Sequence, residues 1–125
     1  MKQEEFNEIF RNRTKRLSLE IIRQLTDIPF NDAVGIMRKQ LIRSTTSVAA
    51  NFRAVCRARS EKERFAKLCI VVEEADETVF WIELFDESGF AKNVMLGVVK
   101  KEAEEILKVM SAFKKSMQKH SLRST

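Results

Sequence analysis

Apolar side chains recur at three- and four-residue steps along almost the whole chain, with few interruptions. Residues spaced in this way lie on one side of an α-helix, because the helix repeats every 3.6 residues. The 125 residues include only three glycines and one proline, so the chain offers few turns. The pattern therefore predicts long helices joined by short connections.

Turn and capping signals divide the pattern into four segments. Pro29 disfavours helix at the preceding residue, and Asn31 or Asp32 can cap the next helix. Ser60 and Glu63 form a capping box, in which Ser60 accepts from the Glu63 amide and the Glu63 carboxylate reaches back to the Ser60 amide. Gly89 is placed to end the third helix.

The predicted helices cover about 3–28, 33–58, 61–88 and 94–119, and residues 120–125 are predicted to form a frayed polar tail. Each helix carries one apolar stripe, and four amphipathic helices in a chain of this length bury their stripes most simply against one another. We therefore predict one domain spanning 1–125, of the all-α class, folded as an antiparallel up-and-down four-helix bundle.

The third predicted helix is apolar over more of its circumference than one bundle core requires. Outside its main stripe it also carries Cys69, Ile70, Phe80, Trp81, Leu84 and Phe85. Helices of this kind are usually buried on more than one side. In so small a protein, this predicts a subunit interface and hence a homo-oligomer.

The residues needed for catalysis or metal binding are not arranged in any known pattern. The one histidine, His120, lies in the predicted tail, and no Glu-x-x-His pair of a di-metal bundle occurs. No serine or cysteine has an evident histidine base, and there is no glycine-rich phosphate loop. We therefore expect a protein that is not an enzyme and has no catalytic residues, metal or cofactor.

Location is indicated by what the sequence lacks. The first residues, MKQEEFNEIF, are not of signal-peptide type, and no segment approaches the ~20 apolar residues that span a bilayer. Cys56 and Cys69 are too few for a disulfide framework and are expected to be reduced thiols. A cytoplasmic protein without a membrane partner is predicted.

Charge is segregated along the chain. Residues 38–64 contain eight basic and two acidic residues, whereas residues 73–87 contain seven acidic residues and no basic one. Lys39, Arg43, Arg53 and Arg57 fall within about 80° of one another on a helix, and we call them the α2 stripe. They can bind a phosphate backbone or pair with the acidic third helix of a neighbouring subunit. The candidate nucleic-acid-binding residues are Lys39, Arg43, Arg53, Arg57, Arg59 and Arg64; a second basic cluster comprises Lys108, Lys114, Lys115, Lys119 and Arg123.

A seam of small polar residues, Ser44, Ser47 and Asn51, runs beside the α2 stripe at steps of three and four. Ala49 and Ala50 keep the neighbouring surface low, so another helix can approach closely. We interpret the seam as a helix-packing motif in which Asn51 satisfies buried hydrogen bonds.

This stretch resembles the signature of the four-helix-bundle family encoded in 23S rRNA intervening sequences, which also includes the accessory variability determinant proteins of diversity-generating retroelements. The matching residues are Arg43, Ser44, Ser47, Val48 and Asn51, followed by Arg57, Arg59 and Ser60. Many members follow the Asn with Ala-Glu-Gly, where this chain has Phe52-Arg53-Ala54. The resemblance implies a homopentamer and, in the retroelement branch, a basic surface that binds nucleic acid and a reverse transcriptase.

Two hypotheses follow. In the first, the protein is a non-catalytic homo-oligomeric scaffold that binds RNA or DNA through its basic surface, as an accessory to a reverse transcriptase if the gene belongs to a retroelement. In the second, it is a protein–protein interaction module whose basic and acidic helices pair between subunits.

Overall fold

The structure is a computed structural model that describes residues 1–91 and 96–124, with side chains as far as residue 120. It contains four helices, α1 (Gln3–Thr26), α2 (Asp32–Cys56), α3 (Glu61–Ser88) and α4 (Leu96–Ser124), and no strand within the described residues. The predicted all-α class is confirmed. The predicted start of the fourth helix, near 94, lies outside the described residues.

The helices form a closed ring in chain order. Each packs against the next, and α1 also packs against α4. Early residues of α1 meet late residues of α2, since the Phe6 and Phe52 ring centroids are 6.3 Å apart. At the other end, the Arg38 guanidinium donates to the carbonyl of Ile28 at 2.6 Å. Neighbouring helices are therefore antiparallel, as an up-and-down bundle requires.

Local sequence signals set most of the helix ends. The Asn31 side chain accepts a hydrogen bond from a first-turn amide of α2 at 2.9 Å, and Ser60 accepts from the Glu63 amide at 3.0 Å. Gly89 ends α3 with a φ of 79°, in the left-handed region. The predicted capping box is only half present, because the Glu63 carboxylate accepts from the Arg59 amide at 3.4 Å instead of from Ser60.

The helix boundaries differ from the prediction at three places. Helix α1 ends at Thr26 and α2 at Cys56, each two residues early. Helix α4 runs through Ser124, so the predicted frayed tail is wrong. The segment after residue 119 contains neither glycine nor proline, and nothing in it stops a helix that is already formed.

One end of the core is filled by phenylalanine rings. Phe6 lies 4.7 Å from Phe10 and 5.3 Å from Phe113, measured between ring centroids, in addition to its contact with Phe52. We call these four residues the aromatic cluster. It joins the start of α1, the end of α2 and the C-terminal part of α4, so these three segments lie at the same end of the bundle.

Arg13, the charged residue that interrupts the apolar stripe of α1, has a partner in α4. Arg13 donates to both carboxylate oxygens of Glu102, with the Nε–Oε2 distance at 3.0 Å. Its guanidinium also lies over the Phe10 ring, 4.7 Å from the centroid. The pair is half-buried and bidentate, an arrangement that favours the charged hydrogen bond over hydration. A residue that breaks the stripe thus joins α1 to α4.

Candidate nucleic-acid interface

The α2 stripe lies on the side of α2 opposite the core. The helix buries residues such as Leu41, Val48 and Val55, while all four stripe residues are exposed. At about 1.5 Å per residue, Lys39 and Arg57 are separated by roughly 27 Å along the helix axis. The stripe is therefore long, and its two halves have different neighbours.

Arg43 is engaged by two carboxylates of the acidic helix of its own chain. Its guanidinium contacts Glu74 at 3.0 Å and Glu77 at 3.3 Å. Pairing with the acidic helix of a neighbouring subunit was one of the two roles predicted for the stripe; for Arg43 the structure places such pairing within the protomer. Arg43 therefore differs from Lys39, Arg53 and Arg57 in having its charge compensated.

The two carboxylates have opposite pKa shifts. Burial of Glu74 would raise the pKa of its carboxyl, but hydrogen bonds with Glu77 and Ser47 and the charge of Arg43 together lower it below its ordinary value. The pKa of Glu77 is raised, chiefly by its hydrogen bond with Glu74. The charge of Glu74 in turn raises the pKa of Arg43. These shifts favour the ionised carboxylate of Glu74 and the charged guanidinium of Arg43.

Four of the six candidates lie near or after the end of α2. Arg53, Arg57 and Arg59 are exposed, whereas Arg64 is half-buried and pairs with Glu61 at 3.2 Å. The Nε of Arg64 is buried without a hydrogen-bond partner. The structure thus groups three of the six predicted residues, all exposed arginines, near the end of α2. Arg64 is half-buried, and Arg43 is paired with two carboxylates. Lys39 lies near the start of α2, far from the three arginines.

The fold adds lysines that the α2 stripe did not include. The aromatic cluster places Phe113 of α4 at the end of the bundle where α2 stops, and α3 begins there too because residues 57–60 connect it to α2. We call the exposed residues around this point the basic end: Arg53, Arg57, Arg59, Lys62, Lys115 and Lys119. The sequence shows two separate basic clusters, and only the antiparallel topology joins them. The Arg123 side chain lies outside the described residues.

The small polar seam faces α3. Ser44 is fully buried and lies 3.0 Å from the Thr78 hydroxyl of α3. Ser47 hydrogen-bonds to Glu74 and supports its ionised form. Asn51 is half-buried, and its Nδ2 donates to the Ser47 carbonyl at 2.9 Å and to the Ser47 hydroxyl at 3.0 Å. The Asn51 amide thus bonds within its own helix.

Helix α3 exposes a set of apolar residues that one protomer leaves uncovered. The exposed fractions of Ile70, Phe80 and Leu84 are 37%, 53% and 39%. Trp81 packs edge-on against Phe80 at 5.0 Å, and its indole N–H is buried without a hydrogen-bond partner. Phe85, predicted to be part of this excess surface, is instead fully buried in the core. We call Ile70, Phe80, Trp81 and Leu84 the α3 apolar face.

Other kinds of site are sparse in the described part of the chain. No group of three or more His, Cys, Asp or Glu side chains there is arranged to hold a metal ion. None of the described helices has the length and apolar character needed to cross a membrane. Cys56 and Cys69 are free and half-buried, and burial raises the pKa of the Cys56 thiol despite the nearby Arg11 and Arg64.

Comparison with known proteins identifies the family. Residues 7–112 match the family model of the 23S rRNA-intervening sequence protein. The chain belongs to this family. A solved structure, a protein of unknown function from the S23 ribosomal protein family of Bacteroides thetaiotaomicron VPI-5482, is 25% identical and superimposes with a TM-score of 0.77 over 87% of this chain and 97% of that one. No curated protein matches the chain.

The family match covers only part of the basic end. It includes α2 with its stripe and seam and extends through residue 112 of α4. Lys115 and Lys119 follow it and are not among the matched residues. They lie at the same end of the bundle as Arg57 and Arg59, but α2 and α4 are diagonal and make no direct contact within the described residues, so a surface that includes both must cross the end of the bundle.

Proposed function

We propose that the protein is a non-catalytic, homo-oligomeric scaffold that binds RNA or DNA through its basic surface. The observation that carries this proposal is the group of exposed, uncompensated arginines at the end of α2. Arg53, Arg57 and Arg59 have no side-chain ion pair with any described residue and point to solvent. Exposed guanidinium groups favour phosphate oxygens, which they can bind in a bidentate manner.

Salt dependence tests this proposal directly. Binding of RNA or DNA should weaken linearly on a log–log plot as salt rises, with a slope of about −0.7 to −0.9 per contacted phosphate. Little sequence preference is expected, because phosphate contacts position a protein on nucleic acid and do not read bases.

A paired substitution locates the effect. Arg53→Gln/Arg57→Gln should reduce the affinity for nucleic acid and leave assembly intact. Arg16→Gln/Arg23→Gln removes the same charge from exposed positions of α1 and is the control. If the first variant dissociates the oligomer, and the wild-type protein shows no salt-sensitive binding to any nucleic acid, the arginines are interface residues and the proposal fails.

A second candidate function is supported by the α3 apolar face. Phe80 and Leu84 are exposed within the acidic stretch from 73 to 87, a composition suited to a basic, partly apolar protein surface. In this alternative the protein is an interaction module, and its basic helix pairs with the acidic helix of another subunit. Arg43 already meets the acidic helix within its own chain, so the intersubunit pairing would use the other basic residues.

The resemblance to retroelement proteins suggests a particular partner. In that branch we propose a reverse transcriptase as the protein that the scaffold assists, and a ring of five as the assembled state. A neighbouring reverse transcriptase gene with a variable repeat would support the retroelement branch. A gene lying inside an rRNA insertion would place the protein in the other branch.

A further inference from the structure

We infer that the nucleic-acid surface is the basic end of the bundle, with α4 contributing to it, and that its ligand is a double-stranded nucleic acid. This inference rests on the proposed function and makes it more specific. It replaces a stripe along α2 with a surface built from three helices. Lys115 and Lys119, which neither the α2 stripe nor the family match includes, become binding residues.

The first step is the position of the charges. Phe6 contacts both Phe52 and Phe113, so residues that follow these two rings lie at one end of the bundle. Exposed Arg53 and Arg57 follow the first ring, and exposed Lys115 and Lys119 follow the second. Lys62, at the start of α3, lies at the same end.

The acidic residues nearby define the path of a ligand. Glu4, Glu5 and Glu8 are exposed on the first turns of α1 and outnumber the exposed Lys2 and Arg11 there, so the α1 side of this end is net acidic.

At the start of α3, Arg59 and Lys62 are exposed. The two acids beside them are engaged, because Glu61 pairs with Arg64 and Glu63 accepts from the Arg59 amide. The favoured path therefore runs from α2 across the start of α3 to α4.

The remainder of the α2 stripe is poorly suited to a polyanion. Arg43 is compensated by Glu74 and Glu77. Lys39 lies one turn further toward the acidic half of α3 and roughly 21 Å from Arg53 along the axis. A phosphate backbone laid along the whole of α2 would approach the acidic residues between 73 and 87, and like charges oppose such a complex.

The surface of α4 has room for a phosphate backbone. Lys115 and Lys119 lie on one exposed face of α4 together with Ala112, Ser116 and His120. The small Ala112 and Ser116 side chains leave the lysine ammonium groups accessible on this face. Lysine is a point charge suited to phosphate contacts that do not require a fixed geometry.

The distribution of aromatic side chains indicates the class of nucleic acid. Proteins that bind single strands stack bases on exposed aromatic rings. In the described chain the exposed aromatic residues, Phe30, Phe80 and Phe90, lie in the opposite half of the bundle. At the basic end Phe6 and Phe113 are half-buried against the core, and Phe65 at the start of α3 is half-buried as well. The basic end therefore offers charge without a fully exposed ring for stacking, which fits the backbone of a duplex.

The test compares two variants with the same loss of charge. Lys115→Gln/Lys119→Gln removes two lysines from the basic end, and Lys15→Gln/Lys101→Gln removes two exposed lysines that lie away from it. Binding of a short RNA duplex, a DNA duplex and a single strand of equal length is measured by fluorescence anisotropy across a salt series. Circular dichroism checks that both variants retain the helical fold.

We expect the first variant to reduce the magnitude of the salt slope by about 1 for each lysine removed. Its affinity for the duplex should fall on the order of tenfold near 0.1 M salt. The second variant should leave the slope almost unchanged. The wild-type protein should bind the duplexes more tightly than the single strand.

Three results would count against the inference in different ways. Equal losses in the two variants would show that net charge, and not the basic end, governs binding, and the proposed function would stand. Tighter binding of the single strand would overturn the duplex assignment. Absence of any salt-sensitive binding by the wild-type protein would overturn the proposed function and this inference together.

Discussion

The two ends of the bundle use aromatic residues in opposite ways. At the basic end, Phe52 and the other rings of the aromatic cluster pack inward, and exposed arginines and lysines surround them. At the other end Phe30, Phe80 and Phe90 are exposed, close to the acidic half of α3. The same residue type thus contributes stability at one end and accessible surface at the other.

This difference separates the two interaction surfaces that we propose on one small molecule. Clustered positive charge of the kind found at the basic end acts on polyanions over about one Debye length. The α3 apolar face exposes large apolar side chains, a common feature of protein interaction sites. Arg43 and its two carboxylates lie between these regions and join α2 to α3.

The largest expected difference between the ends is in the cost of removing a ring. Phe52 is fully buried, so Phe52→Ala should lower the free energy of unfolding by about 3–5 kcal/mol. Phe80 is 53% exposed, and Phe80→Ala should change the stability of a protomer by no more than about 0.5 kcal/mol. Urea unfolding at low protein concentration measures both; similar costs would mean that Phe80 is covered.

The second prediction concerns assembly through the α3 apolar face. A charge at its centre, Phe80→Glu, should dissociate the expected oligomer, because burying an unpaired carboxylate is costly. Ile9→Glu alters an apolar residue of α1 that is 39% exposed and should leave the assembly intact. Light scattering at micromolar concentration reports the masses. A monomer mass for the wild-type protein would remove the oligomer from the proposal.

Much of the fold follows from local signals in the sequence. The cap at Asn31 and the left-handed Gly89 depend on residues within one turn of each other, and both were predictable. The partner of Arg13 in α4 lies 89 residues away, and no local pattern indicates it. The same limit explains why the sequence did not show that Glu74 and Glu77 of the same chain are the acidic partners of Arg43.

The candidate site depends even more on long-range packing. The exposed arginines after Phe52 were identified from spacing and charge. Their place at the same end of the bundle as Lys115 and Lys119 depends on the contacts of Phe6 with Phe52 and Phe113. A helical stripe shows which residues share a face, but it does not show which helix ends meet. Which helix ends meet is known only from the three-dimensional arrangement of the four helices.

The third prediction compares two positions of the small polar seam. Ser44→Leu adds volume at a fully buried contact with Thr78 and should cost about 1–3 kcal/mol. A similar cost would apply to Asn51→Leu if Asn51 were fully buried, but its amide bonds to Ser47 of its own helix and is partly exposed. We therefore expect a loss below about 1 kcal/mol for Asn51→Leu.

Thermal unfolding of both variants tests this difference. A larger loss for Asn51→Leu than for Ser44→Leu would show that Asn51 has a buried partner beyond its own helix. Unchanged unfolding of Asn51→Leu would place its side chain at the surface and make it a candidate binding residue.

The smallest expected effect is the pH dependence contributed by Glu77. The lowered pKa of Glu74 contributes stability that is present above the ordinary value of 4.5 and is lost as pH falls through the lowered pKa. The raised pKa of Glu77 works in the opposite direction: its contribution is present below 4.5 and is lost as pH rises through the raised pKa. Glu77→Gln should remove this second loss.

Urea unfolding from pH 4.5 to neutral measures the Glu77 contribution. The wild-type protein should lose stability over this range relative to Glu77→Gln by at most about 0.5 kcal/mol, since solvent screens an exposed charge, and the Glu77 side chain is 46% exposed. Glu73→Gln removes an exposed carboxylate of the same helix that has no ion pair within the described residues, and it should preserve the wild-type profile. If Glu77→Gln and Glu73→Gln have the same profile, Glu77 does not share a proton with Glu74. Both carboxylates would then be ionised beside Arg43 and would hold its guanidinium together, which would make Arg43 less available to a phosphate.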